Sequence, residues 1–132
     1  MEALILRYGG RPFVAPSVVE RAIESNEELF SHTENLINGG FDMVVLMTGT
    51  GLTYWRDAAV TRYSPEEFSA ALGRTALVSR GPKPVVVLHQ MGLKPQVVVQ
   101  EPNTWQEMVP LIAARAERRI AIQEYGRGNP EF

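Results

Sequence analysis

The chain has 132 residues, 45% of them hydrophobic, with 13 basic and 15 acidic side chains and no cysteine. That length suffices for one domain with a packed core. Balanced charge without a basic stripe argues against a nucleic-acid partner, and the missing cysteines exclude disulfides, thiolate nucleophiles and cysteine–zinc sites.

No apolar run approaches the ~20 residues of a membrane span. The first apolar run is broken at Arg7, too early for a secretory signal. A cytoplasmic protein without a membrane partner is therefore expected.

In chain order, Glu2–Tyr8 reads as a helix that Gly9-Gly10 stops. Arg11–Ala15 and Ser17–Ile23 read as extended segments. Asn26 is a candidate N-cap, with Glu27 and Glu28 in a first turn where negative charge suits the helix dipole. Leu29, Phe30, Thr33, Leu36 and Ile37 then share one helical face, ending at Gly39-Gly40. Met43–Met47 is a continuous apolar run, and Thr48–Gly51 opens a helix to about Val60. Ser64-Pro65-Glu66-Glu67 is a helix start with proline at its first position. Thr75–Ser79 reads as a strand, Pro82–Met91 as a helix and Gln96–Val99 as a short strand. Asn103 or Thr104 caps a helix to about Ala116, and Arg119–Gln123 is a further strand. Pro130–Phe132 resembles the first turn of another helix.

One pattern occurs twice: an apolar strand, a glycine-containing loop, then a helix. The loops are Thr48-Gly49-Thr50-Gly51 and Arg80-Gly81-Pro82-Lys83-Pro84. Continuous apolar strands followed by such loops indicate a parallel sheet buried on both faces, hence a three-layer α/β domain. Its central strands are expected to be Met43–Met47, Thr75–Ser79 and Arg119–Gln123. Ligands of such sheets sit outside the carboxyl ends of the strands. The candidate substrate-binding residues are accordingly Thr48, Gly49, Thr50, Gly51, Arg80, Gly81, Pro82, Lys83 and Tyr125. Threonine hydroxyls and first-turn amides suit an anion, and Arg80 with Lys83 would pair with carboxylates. The same residues would equally serve as helix caps and a solvated turn. Thr-Gly-Thr-Gly lacks the Gly-Lys-Ser/Thr end of a phosphate loop and the third glycine of a dinucleotide fingerprint. His32 and His89 have no ligand partners at metal spacing, so no metal is expected.

Taken in order, these segments resemble the uroporphyrinogen-III synthase family. Phe41–Gly51 is similar to that family's first strand and loop. Ala76–Pro84 with Leu88 and Met91-Gly92-Leu93 resembles its second unit, and Gln100–Thr104 its Glu-Pro-Thr loop. Gln123-Glu124-Tyr125-Gly126 resembles a variant of its Pro-Arg-Gly segment, and Gly9–Pro16 its strand before the crossover. The resemblance implies a flavodoxin-like domain forming about half of a two-domain protein. Residues 1–25 would be the end of one domain's opening unit with a connector strand, and residues 26–132 most of the other domain. It further implies closure of hydroxymethylbilane to uroporphyrinogen III, with inversion of the last pyrrole ring and loss of water, without metal or cofactor, in a cleft between the domains. Pro84 stands where many members have threonine, and Gly49 where many have serine. The tyrosine linked to loss of the hydroxyl has no counterpart in these 132 residues, so no catalytic residue is assigned. The chain alone is expected to be inactive, and a homodimer through residues 1–25 is expected from an unpaired connector strand. A non-catalytic tetrapyrrole-binding or regulatory module is the alternative from another class. A receiver domain is disfavoured, because no acidic cluster follows the early strands.

Overall fold

The computed structural model describes residues 6–11 and 26–124. Residues 6 and 7 are helical, and Gly9, at φ +77°, closes that turn through its N–H to the Leu6 carbonyl. The expected strand at 11–15, the connector at 17–23 and Tyr125 fall outside the described residues, apart from Arg11.

Helix α1 (Glu27–Ile37) begins where the Asn26 side chain accepts the Leu29 N–H at 2.9 Å. It ends at Asn38, followed by Gly39 at φ +74°. Strand β1 (Met43–Leu46) is buried throughout. Helix α2 (Gly49–Ala59) is capped by Thr48. Helix α3 (Pro65–Gly73) starts on a capping box in which Ser64 and Glu67 each accept the other's backbone N–H. Strand β2 (Ala76–Ser79), helix α4 (Pro82–Gln90), short strand β3 (Val97–Val98), helix α5 (Trp105–Ala113) and strand β4 (Ile120–Gln123) complete the order.

The four strands form one parallel sheet in the order β3-β2-β1-β4. Alternation sorts their side chains. Val44, Leu46 and Leu77 join Leu36, Leu52, Trp55, Phe68, Leu72 and Leu88 in the core shared with α1–α4. Met43, Val45 and Val78 point the other way, to Val99 and Met108, with Trp105 and Ile112 of α5 packed alongside. Among the described residues the layers are therefore four helices, the sheet, and α5.

The placement of α5 follows from chain direction. From β1 to β2 to β3 the strands step one way across the sheet; α5 then carries the chain back past both to the far side of β1. Right-handed crossovers in opposite directions require helices on opposite faces. β1 and β4 are thus neighbours at the point where the strand order reverses.

Two expectations need correction. Among the described residues β4 is an edge strand, partly buried with Ile122 exposed, whereas a central strand was expected. It has a partner on one side only, so its apolar sequence does not mean burial on both faces. Helix α5 stops at Ala113 rather than Ala116. The Arg115 N–H turns back to the Ile112 carbonyl, and the Arg118 guanidinium holds the Arg115 and Glu117 carbonyls. That turn lets β4 begin in register with Met43.

Candidate functional site

All strands being parallel, the loops leaving their carboxyl ends lie on one rim. Thr48 leaves β1 in extended conformation, and its Oγ1 accepts the Gly51 N–H at 3.0 Å. The Gly51 amide is thus committed to the cap. Gly49 lies against the first turn of α4: a Cβ there would stand 2.9 Å from the Lys83 carbonyl oxygen. The 48–51 and 80–83 loops are therefore side by side, and the Arg80 N–H donates to Leu46 at the end of β1.

The second loop is braced from beneath. Ser79, fully buried, donates its hydroxyl to the Gly81 carbonyl at 2.6 Å. Gly81 caps α4 without a side-chain bond. Pro82 and Pro84 carry no amide hydrogen, so of the three residues that open α4 only Lys83 offers a backbone donor. This loop has fewer amide donors than its glycine suggests. Among the described residues, no carboxylate lies within ion-pair distance of Arg80 or Lys83.

Two further side chains lace the rim together, neither of them among the expected site residues. Asn103, at φ +58°, turns its amide nitrogen to the Val99 carbonyl at 2.6 Å and the Arg80 carbonyl at 3.3 Å. It joins the β3–α5 loop to the β2–α4 loop. Gln123, last residue of β4, accepts the Thr48 N–H at 3.4 Å. The Asn103–Arg80 and Gln123–Thr48 contacts join residues distant in sequence, and nothing local to either amide signals them. The only hint is that each sits where an apolar run gives way to a loop.

Of the expected residues, Thr48, Gly49, Thr50, Gly51, Arg80, Gly81, Pro82 and Lys83 thus share one rim. Thr50, Pro82 and Lys83 are exposed and Thr48 and Arg80 half-buried, while Gly49, Gly51 and Gly81 are buried. The glycines permit close packing, while the Thr48 hydroxyl is engaged with the Gly51 N–H. Beside β4, a cavity of about 300 Å³ is lined by His32, Phe41, Trp55, Ala121, Gln123 and Glu124, among others. It meets the rim at Gln123.

The opposite end of the sheet is electrostatically different. Asp42 accepts the Arg119 guanidinium at 2.5 Å and the Arg119 backbone N–H at 3.0 Å. These bonds hold its carboxyl at about 2, well below the usual range. This ion pair ties β1 to β4 at their amino ends, remote from the rim. Among the described residues no group of three His, Cys, Asp or Glu side chains is placed to hold a metal ion.

Comparison with known proteins agrees with this architecture. The sequence profile of the family described as uroporphyrinogen-III synthase HemD matches residues 1–130. Among solved structures, the chain is similar to wild-type uroporphyrinogen III synthase from the extremely thermophilic bacterium Thermus thermophilus, with a TM-score of 0.65 and 24% identity over 98% of this chain and 48% of that one. A mutant form of the same enzyme gives a TM-score of 0.61 and 22% identity, over 98% and 49%. At such identities the likeness shows the fold. The chain spans about half the length of the solved structures it matches. No curated protein matches it. With the family profile running through nearly every residue and the same parallel α/β fold beneath it, the chain belongs to the uroporphyrinogen-III synthase HemD family.

Proposed function

We propose that this chain acts as one domain of a uroporphyrinogen-III synthase, holding hydroxymethylbilane by its carboxylates along the strand-end rim. The linear tetrapyrrole would close to uroporphyrinogen III, inverting its last pyrrole ring and releasing one water. The observation that carries this reading is the family match over residues 1–130. The rim supports the placement: two exposed or half-exposed threonines, an arginine and a lysine lie outside the carboxyl ends of β1 and β2, with β1 next to the point where the strand order reverses. Tyr125 comes two residues after the end of β4 in sequence and would join them as a hydrogen-bonding clamp.

The roles assigned are positional. Arg80 and Lys83 would bind substrate carboxylates, and the Thr48 and Thr50 hydroxyls would donate to them. Closure requires the two ends of a flexible chain to be held together, and orientation of this kind supplies about 7–11 kcal/mol of barrier reduction. One domain presents one wall of such a cleft. Supplied with hydroxymethylbilane, the 132-residue chain is expected to leave only the spontaneous type I isomer, and a polypeptide carrying a second such domain to yield type III. Isomer analysis of the oxidised porphyrins checks this. Robust type III product from the chain alone overturns the need for a second domain.

The half-length match also supports a second reading, a non-catalytic tetrapyrrole-binding module. In that case the chain binds uroporphyrin III, but the longer polypeptide gives no type III product.

A further inference from the structure

We propose that Gln123 is a positioning residue of the candidate site, which it serves by fixing the first turn of α2 against the end of β4. The inference rests on the reading that this rim holds the substrate. Gln123 lies opposite Leu46 in the parallel register, and the Met47 N–H donates to its carbonyl at 3.3 Å. Its side chain turns back over the beginning of α2. Oε1 accepts the Thr48 N–H at 3.4 Å, while Nε2 donates to the Glu124 carbonyl at 2.8 Å. The amide is thus engaged at both ends. A Cβ on Gly51 would collide with Nε2 and stand 2.8 Å from Thr48 Oγ1. The carboxamide occupies the space a larger residue at 51 would need, so such a residue would have to displace it.

Through these contacts Gln123 sets where Thr48 and Thr50 stand relative to β4. It also borders the cavity containing His32 and Trp55, so it forms the wall between that cavity and the rim. The carboxamide matters as well as the length. A glutamate would keep an acceptor for Thr48 N–H, but it would lose the donor to the Glu124 carbonyl and set a negative charge beside a polycarboxylate ligand. Binding should therefore fall further than the loss of stability accounts for, which a purely structural role does not produce.

The test uses the whole 132-residue chain with uroporphyrin III, a stable polycarboxylate, as the probe. Q123E is expected to melt below the wild-type temperature and to bind about ten-fold more weakly, the ratio that one lost hydrogen bond or charge contact produces. Q123M, similar in length but without the amide, is expected to bind more weakly by a similar factor. Wild-type binding by both variants overturns the proposal and leaves the proposed function standing. If the wild-type chain itself does not bind the probe, the rim reading fails and the positioning role is decided by coupling between 51 and 123. G51A should then lower the folding equilibrium constant about five-fold more in the wild-type background than alongside Q123A. Additive effects overturn the proposal.

Discussion

At Asp42 a single carboxylate accepts a guanidinium and the backbone N–H groups of Arg118 and Arg119. Hydrogen bonds to the charged form lower its pKa to about 2 from an ordinary value of 3.8. Since the folded value is the lower one, this carboxylate adds stability above about pH 4, and that contribution fades as pH falls toward 2. Asp42→Asn is expected to lower the denaturation midpoint at about pH 7, with the gap to wild type narrowing between about pH 4 and pH 2.5. A constant gap across that range would show that the pair does not titrate as described. Glu107 is shifted down in the same sense by the Thr104 hydroxyl and amide. At this scale the sequence is informative about caps and silent about bridges. Asn26, Ser64 and Thr104 can be read as helix starts because their bonds close within three residues. The bridges from Gln123 to Thr48 and from Asn103 to Arg80 cannot, since those partners are brought near only by the sheet.

Among elements, the contact between α2 and α4 has the least room. Gly49 sits where a methyl group would press on the Lys83 backbone, which cannot swing aside as a side chain could. Gly49→Ala should therefore destabilise by about 1–3 kcal/mol, although alanine is intrinsically favoured over glycine in a helix by about 1 kcal/mol. Urea unfolding measures the sign, and a stabilised variant is incompatible with the close approach. The elements themselves were largely legible. Helix ends fell at Gly39 and Gly92, both at positive φ, and continuous apolar runs became the buried β1 and β2. The edge position that β4 takes among the described residues was not legible, because Ile120–Gln123 is as apolar as a central strand. Only the neighbours a strand acquires decide its exposure.

For the molecule as a whole, the described residues put four helices on one face and one on the other. Met108 is the fully buried residue through which α5 reaches Met43, Val45 and Val78. Met108→Ala should cost about 2–5 kcal/mol. Against a typical total of about 5–15 kcal/mol, that threatens the domain rather than one helix. Thermal melting checks it, and a loss below about 1 kcal/mol would mean that α5 contributes little. The parallel sheet and the adjacency of β1 and β2 could be read from two strand–loop–helix units in succession. The side on which β4 joins could not, since that depends on the handedness of a crossover. The clustering of the 48–51 and 80–83 loops follows directly from the adjacency of their strands. Tyr125 lies outside the described residues and enters the site as a proposal.

The sheet order also has a consequence for folding. Asp42 and Arg119 are 77 residues apart in sequence, so pairing β4 with β1 closes the longest loop in the sheet. β2 and β3 each join a strand made shortly before. Loop-closure entropy rises with the length enclosed, and non-local pairings of this kind form slowly. β4 is thus placed to dock last, onto a sheet already nucleated by β1, β2 and their helices. Its amides should exchange with solvent ahead of those in β1. On this order the nascent chain carries the threonine and lysine loops in near-final form before the Gln123 bridge can close over them.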